Sequence, residues 1–158
     1  MQEIKDEKWG DGKLKSKIYE LWPLLLELID PRTKEGRKLA SQLCLWSCFV
    51  DVLDDERKQW LLKIAPYAEE NYNSHYLLES LALLSKHYPL DAQEAWLAML
   101  TNYSFDYPED AIQVIFTNLV QVGRDGEKGA RQITDAYLKH GFTRPMDWLN
   151  SILEKAHK

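Results

Sequence analysis

The sequence contains few of the residues that mark unusual protein classes. Its 158 residues include only 2 cysteines, 7 glycines and 6 prolines, which excludes a disulfide-stapled scaffold and a collagen-like chain. The densest apolar run, from Leu21 to Leu26, is interrupted by Pro23 and closed by Glu27. A membrane-spanning helix needs about 20 predominantly apolar residues, so this run predicts no span. The charged stretch from Met1 to Lys8 has no apolar run after it, which indicates no secretory signal.

The remaining composition is typical of one globular domain. Apolar residues make up 45% and charged residues 28% of the chain, which is enough to bury a core. We expect a charged lead or linker over residues 1–12 and a single helical-repeat domain over 13–158, and we interpret the lead as the mark of a segment of a larger protein. Cys44 and Cys48 have apolar neighbours and are expected to be buried free thiols, which predicts a cytoplasmic location. The sequence predicts neither a metal site nor a cofactor.

Acidic residues outnumber basic ones, and they are unevenly distributed. The net charge is −5, divided into +1 over residues 1–40 (nine basic, eight acidic) and −6 over residues 41–158 (eleven basic, seventeen acidic). Between Pro66 and Gly123, eight acidic residues stand against the single base Lys86. A nucleic-acid surface needs lysine and arginine to displace counterions from phosphates, so we expect no nucleic-acid partner. The acidic excess favours a basic protein or peptide.

Apolar residues recur with the period of a helix along nearly the whole chain, and alternating strand patterns are scarce. We therefore predict an all-α fold of about eight helices, arranged as four antiparallel hairpins. The first helix is expected over Lys13–Ile29, and Pro23 predicts a kink or break in it. Its expected inward stripe consists of Leu14, Ile18, Leu21, Leu25 and Leu28.

Polar residues at helix ends support more local predictions. Asp30 is expected to cap the second helix. Asp91 with Glu94 resembles a capping box at the start of the fifth helix. The dipeptide Asp125–Gly126 is typical of a turn between the sixth and seventh helices.

Two of the predicted hairpins share an apolar pattern. The hairpin over Ser74–Thr101 matches the hairpin over Pro108–Lys139 with an offset of 35 residues in the first helix and 37 in the second. From Lys13 to Ala156 the chain resembles the α-helical repeat families, most nearly the irregular HEAT and armadillo type. The resemblance is one of architecture, without a family signature. It implies a right-handed, solenoid-like stack of hairpins whose concave face binds a partner, and a compact helical bundle is the alternative.

Sequence motifs for catalysis are missing. The chain has no GxGxxG, GxxxxGK[ST], HExxH, GxSxG or CxxC pattern. The acidic run from Asp51 to Glu56 could be read as a Mg²⁺ site, but Asp54 to Glu56 are interpreted as a helix start, because acids favour the positive end of the helix dipole. His75 and Glu79, one helical turn apart, are interpreted as a surface pair. The alternative function is an enzyme with a non-motif acid–base site, which predicts a pocket lined by at least two titratable groups with shifted pKa values.

Aromatic side chains crowd two predicted loops that lie about one repeat apart, and acidic residues accompany them. Aromatic rings with a polar end are favoured at protein interfaces, although the same rings could instead close the core over the helix ends. The first reading predicts a protein-interaction or scaffold module with an acidic, aromatic-edged surface. That surface comprises Tyr72, His75, Tyr76, Tyr103, Phe105, Tyr107, Glu69, Glu70, Glu79 and Asp106.

Overall fold

The structure, a computed structural model, describes residues 12–68, 72–100 and 108–158, and it describes side chains of the fourth helix from His75 onward. Over these residues the chain forms eight α-helices and no strand, which confirms the predicted all-α class. The helices are α1 (Gly12–Leu26), α2 (Lys34–Leu43), α3 (Asp55–Ile64), α4 (Tyr72–Leu84), α5 (Pro89–Met99), α6 (Glu109–Val122), α7 (Arg124–Leu138) and α8 (Arg144–Ala156). Short 3₁₀ helices, Cys44–Phe49 and Ala65–Tyr67, extend α2 and α3. None of the described helices has the length and apolar character needed to cross a membrane.

The first helix buries only part of its predicted inward stripe. It continues through Pro23, so the predicted break is absent, and it ends at Leu26, three residues earlier than predicted. Ile18 of the stripe is buried as predicted, whereas Leu28 lies beyond the end of the helix and is 69% exposed. Trp22, which was not predicted to face inward, is 0% exposed. Its ring packs against Trp60 of α3, with 5.9 Å between the ring centroids.

The cap of the second helix lies three residues later than predicted. Thr33 caps α2, and its hydroxyl accepts a hydrogen bond from the Gly36 N–H at 2.9 Å. The prediction that Asp30 caps this helix is therefore wrong. The Asp30 carboxylate instead accepts hydrogen bonds from the guanidinium of Arg32, at 2.9 Å. The Arg32 guanidinium thus binds the Asp30 carboxylate that was expected to cap α2.

Two further predictions at helix ends are wrong. Asp91 and Glu94 form no capping box, since α5 begins at Pro89 without a side-chain cap. Asp125 and Gly126 form no turn, since both lie inside α7. The chain reverses at Gly123 alone, whose φ of +92° is a conformation that glycine adopts without strain.

From α4 onward, each helix packs against the next helix and against the next but one. α4 contacts α5 and α6, α5 contacts α6 and α7, and α6 contacts α7 and α8. Both sets of apolar residues related by the 35-residue offset are buried in these contacts: Leu77, Leu81 and Leu84 on α4, and Ile112, Phe116 and Leu119 on α6. Trp96 of α5 lies between these two sets of residues, and its ring centroid is 5.3 Å from that of Phe116. The described helices therefore share one continuous core.

The sharp reversal at Gly123 brings α6 and α7 into close contact. Gly126 on α7 faces the backbone of α6, and a Cβ atom at Gly126 would lie 1.8 Å from the carbonyl oxygen of Leu119. Only a residue without a side chain allows the two helix backbones to approach so closely. This glycine is a packing requirement of the hairpin rather than part of its turn.

Candidate functional site

The predicted interaction surface lies only in part within the described residues. Seven of its ten side chains lie outside them: Glu69, Glu70, Tyr72, Tyr103, Phe105, Asp106 and Tyr107. The backbone of Tyr72 is described and forms the first residue of α4. The grouping of these seven side chains remains a prediction.

The three described members of the predicted surface lie on α4. His75 is exposed, and Tyr76 and Glu79 are half-buried. α4 packs beside α6, whose first turn presents the exposed acids Glu109 and Asp110. No ion pair joins His75 to Glu79 within the described part of the chain. The described part of this region is therefore a helical surface with acidic and aromatic side chains.

A densely bonded group of side chains, which the sequence reasoning missed, lies between α1, the segment before α3, and α3. We call it the Arg57 cluster, and it consists of Lys15, Tyr19, Asp51, Arg57 and Trp60. The Tyr19 hydroxyl donates a hydrogen bond to the Asp51 carboxylate and accepts one from the Asp51 N–H at 2.9 Å. The Lys15 ammonium pairs with the same carboxylate. These contacts tie α1 to the chain that enters α3.

The electrostatics of the Arg57 cluster do not suit acid–base catalysis near neutral pH. Burial, reinforced by the hydrogen bond to Asp51, raises the pKa of Tyr19 to about 12. Burial alone would raise the pKa of Asp51, but hydrogen bonds from Lys15 and Tyr19 outweigh it and lower that pKa. An efficient general acid or base has a pKa near the working pH. Tyr19 is therefore a neutral donor and Asp51 a permanent anion.

Arg57 itself is held on three sides. Its guanidinium carbon lies 4.4 Å from the centroid of the Tyr19 ring and 5.6 Å from that of Trp60. Its guanidinium also pairs with Asp54, whose carboxylate caps α3 by accepting the Arg57 N–H at 2.9 Å. Cation–π contacts of this kind contribute about 0.5–1 kcal/mol or more when partly desolvated. The arrangement positions α3 against α1 and leaves the guanidinium little freedom to bind a ligand.

Lys58, the next residue along α3, connects that helix to α5. Its ammonium lies 3.0 Å from a carboxylate oxygen of Asp91 and 3.3 Å from one of Glu94. These hydrogen bonds, the one to Asp91 first, raise the pKa of Lys58. One ammonium thus pairs with two acids of the acidic middle segment and leaves a net charge of −1 on the three side chains.

The surface hollow beside α1 does not resemble an active-site pocket. It has a volume of about 670 Å³ and is lined by Gly12, Lys13, Ser16, Lys17 and Glu20. All five of these described lining residues belong to α1. Neither Tyr19 nor Asp51, whose pKa values are shifted, lines it. The enzyme alternative draws no support from this hollow.

The two cysteines are free thiols, as predicted, but only Cys44 is buried and Cys48 is half-buried. Cys44 is 0% exposed, and burial raises the pKa of its thiol to about 12. A nucleophilic cysteine is a thiolate with a lowered pKa, so Cys44 is a packing residue. Over the described residues, no group of three or more His, Cys, Asp or Glu side chains is placed to hold a metal ion.

The sequence did carry a partial signal for the Arg57 cluster. Asp51 and Asp54 both precede the start of α3, and only Asp54 is explained by capping that helix. Asp51 lies three residues before the cap, where the helix dipole no longer explains an acid. Its partners Lys15 and Tyr19 are 36 and 32 residues away, which no local pattern can identify.

Comparisons with known proteins give one similarity. No protein-family model matches the chain, and no solved structure matches it. The chain is similar to a segment of the leucine–tRNA ligase of Lawsonia intracellularis (strain PHE/MN1-00), with 33% identity over 75 residues. That segment covers 46% of this chain and 8% of the ligase. The chain therefore spans less than a tenth of the relative that it matches.

Proposed function

We propose that this chain is a protein-interaction module: a helical-repeat segment of a larger cytoplasmic protein that binds a basic partner. The binding surface is the acidic, aromatic-edged one at the starts of α4 and α6. One observation carries the proposal. α4 and α6 pack side by side while His75, Glu109 and Asp110 remain exposed near their N-terminal ends. Neighbouring helices with solvated starts provide a platform broad enough for a polypeptide.

The packing order supports the repeat interpretation. Contacts of each helix with the next and the next but one are what a stack of helical hairpins requires. In such a right-handed stack α4 and α6 run in the same direction, since each is separated from the other by one antiparallel helix. Their N-terminal ends then share one edge with the loops that precede them. A compact bundle of the same helices is the alternative.

The chemistry of the surface supports a basic polypeptide as the partner. Glu79, Glu109 and Asp110 present carboxylates that take part in no described ion pair, whereas Asp91 and Glu94 share the Lys58 ammonium. Complementary charge increases the association rate and selects among partners, and aromatic rings add contact area. A small molecule would need an enclosed pocket that buries most of its surface. An exposed helical platform suits a macromolecule.

The similarity to leucine–tRNA ligase supports the interpretation of the chain as one segment of a longer protein. The match covers 8% of that enzyme, so the similar residues there lie within a much longer chain.

Affinity capture with a charge-reversed variant tests the proposal. The full chain and the variant with Glu69, Glu70, Glu79 and Asp106 each changed to lysine are used as baits at several salt concentrations, and captured proteins are identified by mass spectrometry. We expect the unchanged chain to capture a basic protein in stoichiometric amount at low salt and to lose it as salt rises. The variant should not retain this protein. Screening of exposed charges by salt produces this dependence.

A second variant provides the control for net charge. It carries lysine at Glu27, Glu56, Asp135 and Glu154, four exposed acids away from the proposed surface. Capture should persist in this control, and circular dichroism should show that both variants melt close to the unchanged chain. The same partner captured equally by the surface variant contradicts the proposal.

A further inference from the structure

The described part of the chain covers the apolar residues of α1 only in part. Ile18 is buried in the core, but Leu14 is exposed and Leu21 is half-buried. Leu24 and Leu28 are 61% and 69% exposed, which makes them the two most exposed large apolar side chains of the described residues. We call Leu14, Leu21, Leu24 and Leu28 the α1 stripe. An apolar line of this kind is typical of a helix that packs against a further partner.

The spacing of the α1 stripe matches the contact line between two paired helices. Leu14, Leu21 and Leu28 are seven residues apart, and Leu24 follows Leu21 by three residues. Seven residues are close to two helical turns, so apolar residues with this spacing form the seam of two helices that pack side by side. Leu28 lies in the turn that extends α1, where its N–H donates a hydrogen bond to the Leu25 carbonyl at 3.1 Å. The stripe is about 21 Å long at a rise of about 1.5 Å per residue.

The charges at the two ends of the stripe oppose the dipole of α1. The first turn of α1 has no acid and its last turn has no base. Instead, Lys13 lies in the first turn and Glu27 directly follows the last residue of the helix. The dipole favours acids at the start and bases at the end, so this order does not stabilise α1 by itself. Within the described residues neither Lys13 nor Glu27 takes part in an ion pair.

The stripe is thus basic at one end, acidic at the other and neutral between them. Lys13 and Glu27 are exposed and directly precede the first and last leucines of the stripe. In the middle, the ammonium of Lys17 lies 3.0 Å from the carboxylate of Glu20, so these two charges compensate each other on one helix. A surface with this order of charges is complementary to itself when it is turned end to end.

We propose that the α1 stripe is the contact between two copies of this chain, whose α1 helices pack antiparallel about a twofold axis near Leu21. This arrangement brings Lys13 of each copy near Glu27 of the other, and twofold symmetry makes the contact twice. A parallel pair would instead place Lys13 beside Lys13. The leucines form a small interface, so we expect a weak dimer with a dissociation constant of about 10–100 µM. The proposal concerns α1 and does not depend on the function proposed above.

Sedimentation equilibrium of the full chain, from about 5 to 500 µM, tests the dimer. We expect the unchanged chain to shift from monomer to dimer over this range. Leu24→Gln should weaken the dimer at least tenfold, since two leucines per dimer lose an apolar contact. The matched control is Leu83→Gln, which changes an exposed leucine of α4 and should alter the dissociation constant by less than about twofold.

A charge exchange tests the antiparallel arrangement. The single variants K13E and E27K each place like charges together at both ends of the interface, so each should weaken the dimer roughly tenfold. The double variant K13E/E27K restores opposite charges across the interface and should dimerise within about twofold of the unchanged chain. It should also melt no lower, because both exchanged charges then agree with the helix dipole.

Four outcomes overturn the proposal. An unchanged chain that stays monomeric over the whole range has no dimer of the proposed strength, and a lower melting temperature of its L24Q variant assigns the stripe to a contact within one chain. Equal dissociation constants of L24Q and L83Q place the dimer contact elsewhere. A double charge variant that dimerises as weakly as the single variants excludes the antiparallel pairing of α1.

Discussion

Replacing Gly126 by alanine tests the close contact between α6 and α7. The new Cβ atom would lie 1.8 Å from the carbonyl oxygen of Leu119, whereas ordinary contacts begin at 3.4 Å. The helices must therefore separate by about 1.6 Å (3.4 minus 1.8) to accept a single methyl group. Backbone atoms cannot rotate away as a flexible side chain does, so the cost falls on the whole hairpin.

The magnitude follows from two opposing effects. Overpacking a well-filled contact costs about 1–3 kcal/mol, and a clash with backbone belongs at the upper end. Alanine in a helix is favoured over glycine by about 1 kcal/mol. Gly126→Ala should therefore reduce the free energy of unfolding by about 2 kcal/mol. For a domain of this size the melting temperature should fall by about 4–8 °C.

Thermal unfolding followed by circular dichroism at 222 nm is the assay, with urea unfolding as a check. Gly129, one turn further along α7, is the matched control. A Cβ atom there would lie 3.2 Å from side-chain carbons of Gln93, which can move. Gly129→Ala should therefore change stability by less than about 1 kcal/mol, because the helix gain offsets a mild contact. A Gly126→Ala protein as stable as the unchanged chain would refute the reasoning.

Three further predictions concern the polar contacts and the thiols. Lys58→Met should lower the free energy of unfolding by about 1 kcal/mol, because it leaves Asp91 and Glu94 without their cation. The urea midpoints of the variant and the unchanged chain should converge as salt rises, and a difference that salt does not reduce would contradict an ionic origin. Cys44 should react with a thiol reagent only on unfolding, because it is 0% exposed, and rapid labelling of both cysteines in the native chain would show otherwise. The pKa of Tyr19 is raised from 10.0 to about 12, so its proton contributes stability that is fully present below pH 10 and is lost as pH rises through about 12. Tyr19→Phe should flatten that alkaline loss in melts between these pH values, and an unchanged slope would argue against the contact with Asp51.

The sequence predicted the features that depend on local periodicity. The eight helices follow from apolar residues that recur every three or four positions. The same spacing identifies the buried faces of α4 and α6, for example at Leu81 and Phe116. The acidic start of α3 at Asp54 was also confirmed, because a cap and a helix dipole act within one turn. Of the predicted interaction surface, the described structure places only His75, Tyr76 and Glu79 together on one helix.

The predictions that failed depended on residues far away in the chain. Asp91 was predicted to cap α5 and instead binds Lys58, 33 residues earlier. Leu28 was predicted to face inward and instead lies in solvent, because α1 ends at Leu26 and Trp22 packs on Trp60 in its place. A polar side chain has several acceptable partners, and local sequence does not rank them.

What the sequence determined by itself is the helical class, the number of helices and most of their inward faces, since backbone hydrogen bonds and apolar periodicity are properties of neighbouring residues. Only the tertiary structure decided which charges are neutralised and which remain free. Lys58 and Arg57 lie next to each other, yet one joins α5 and the other lies between two rings of α1 and α3. Gly126 resembled a turn residue and became a contact point between helices. Such roles are set by whichever group lies opposite in space, and the packing of helices determines that group.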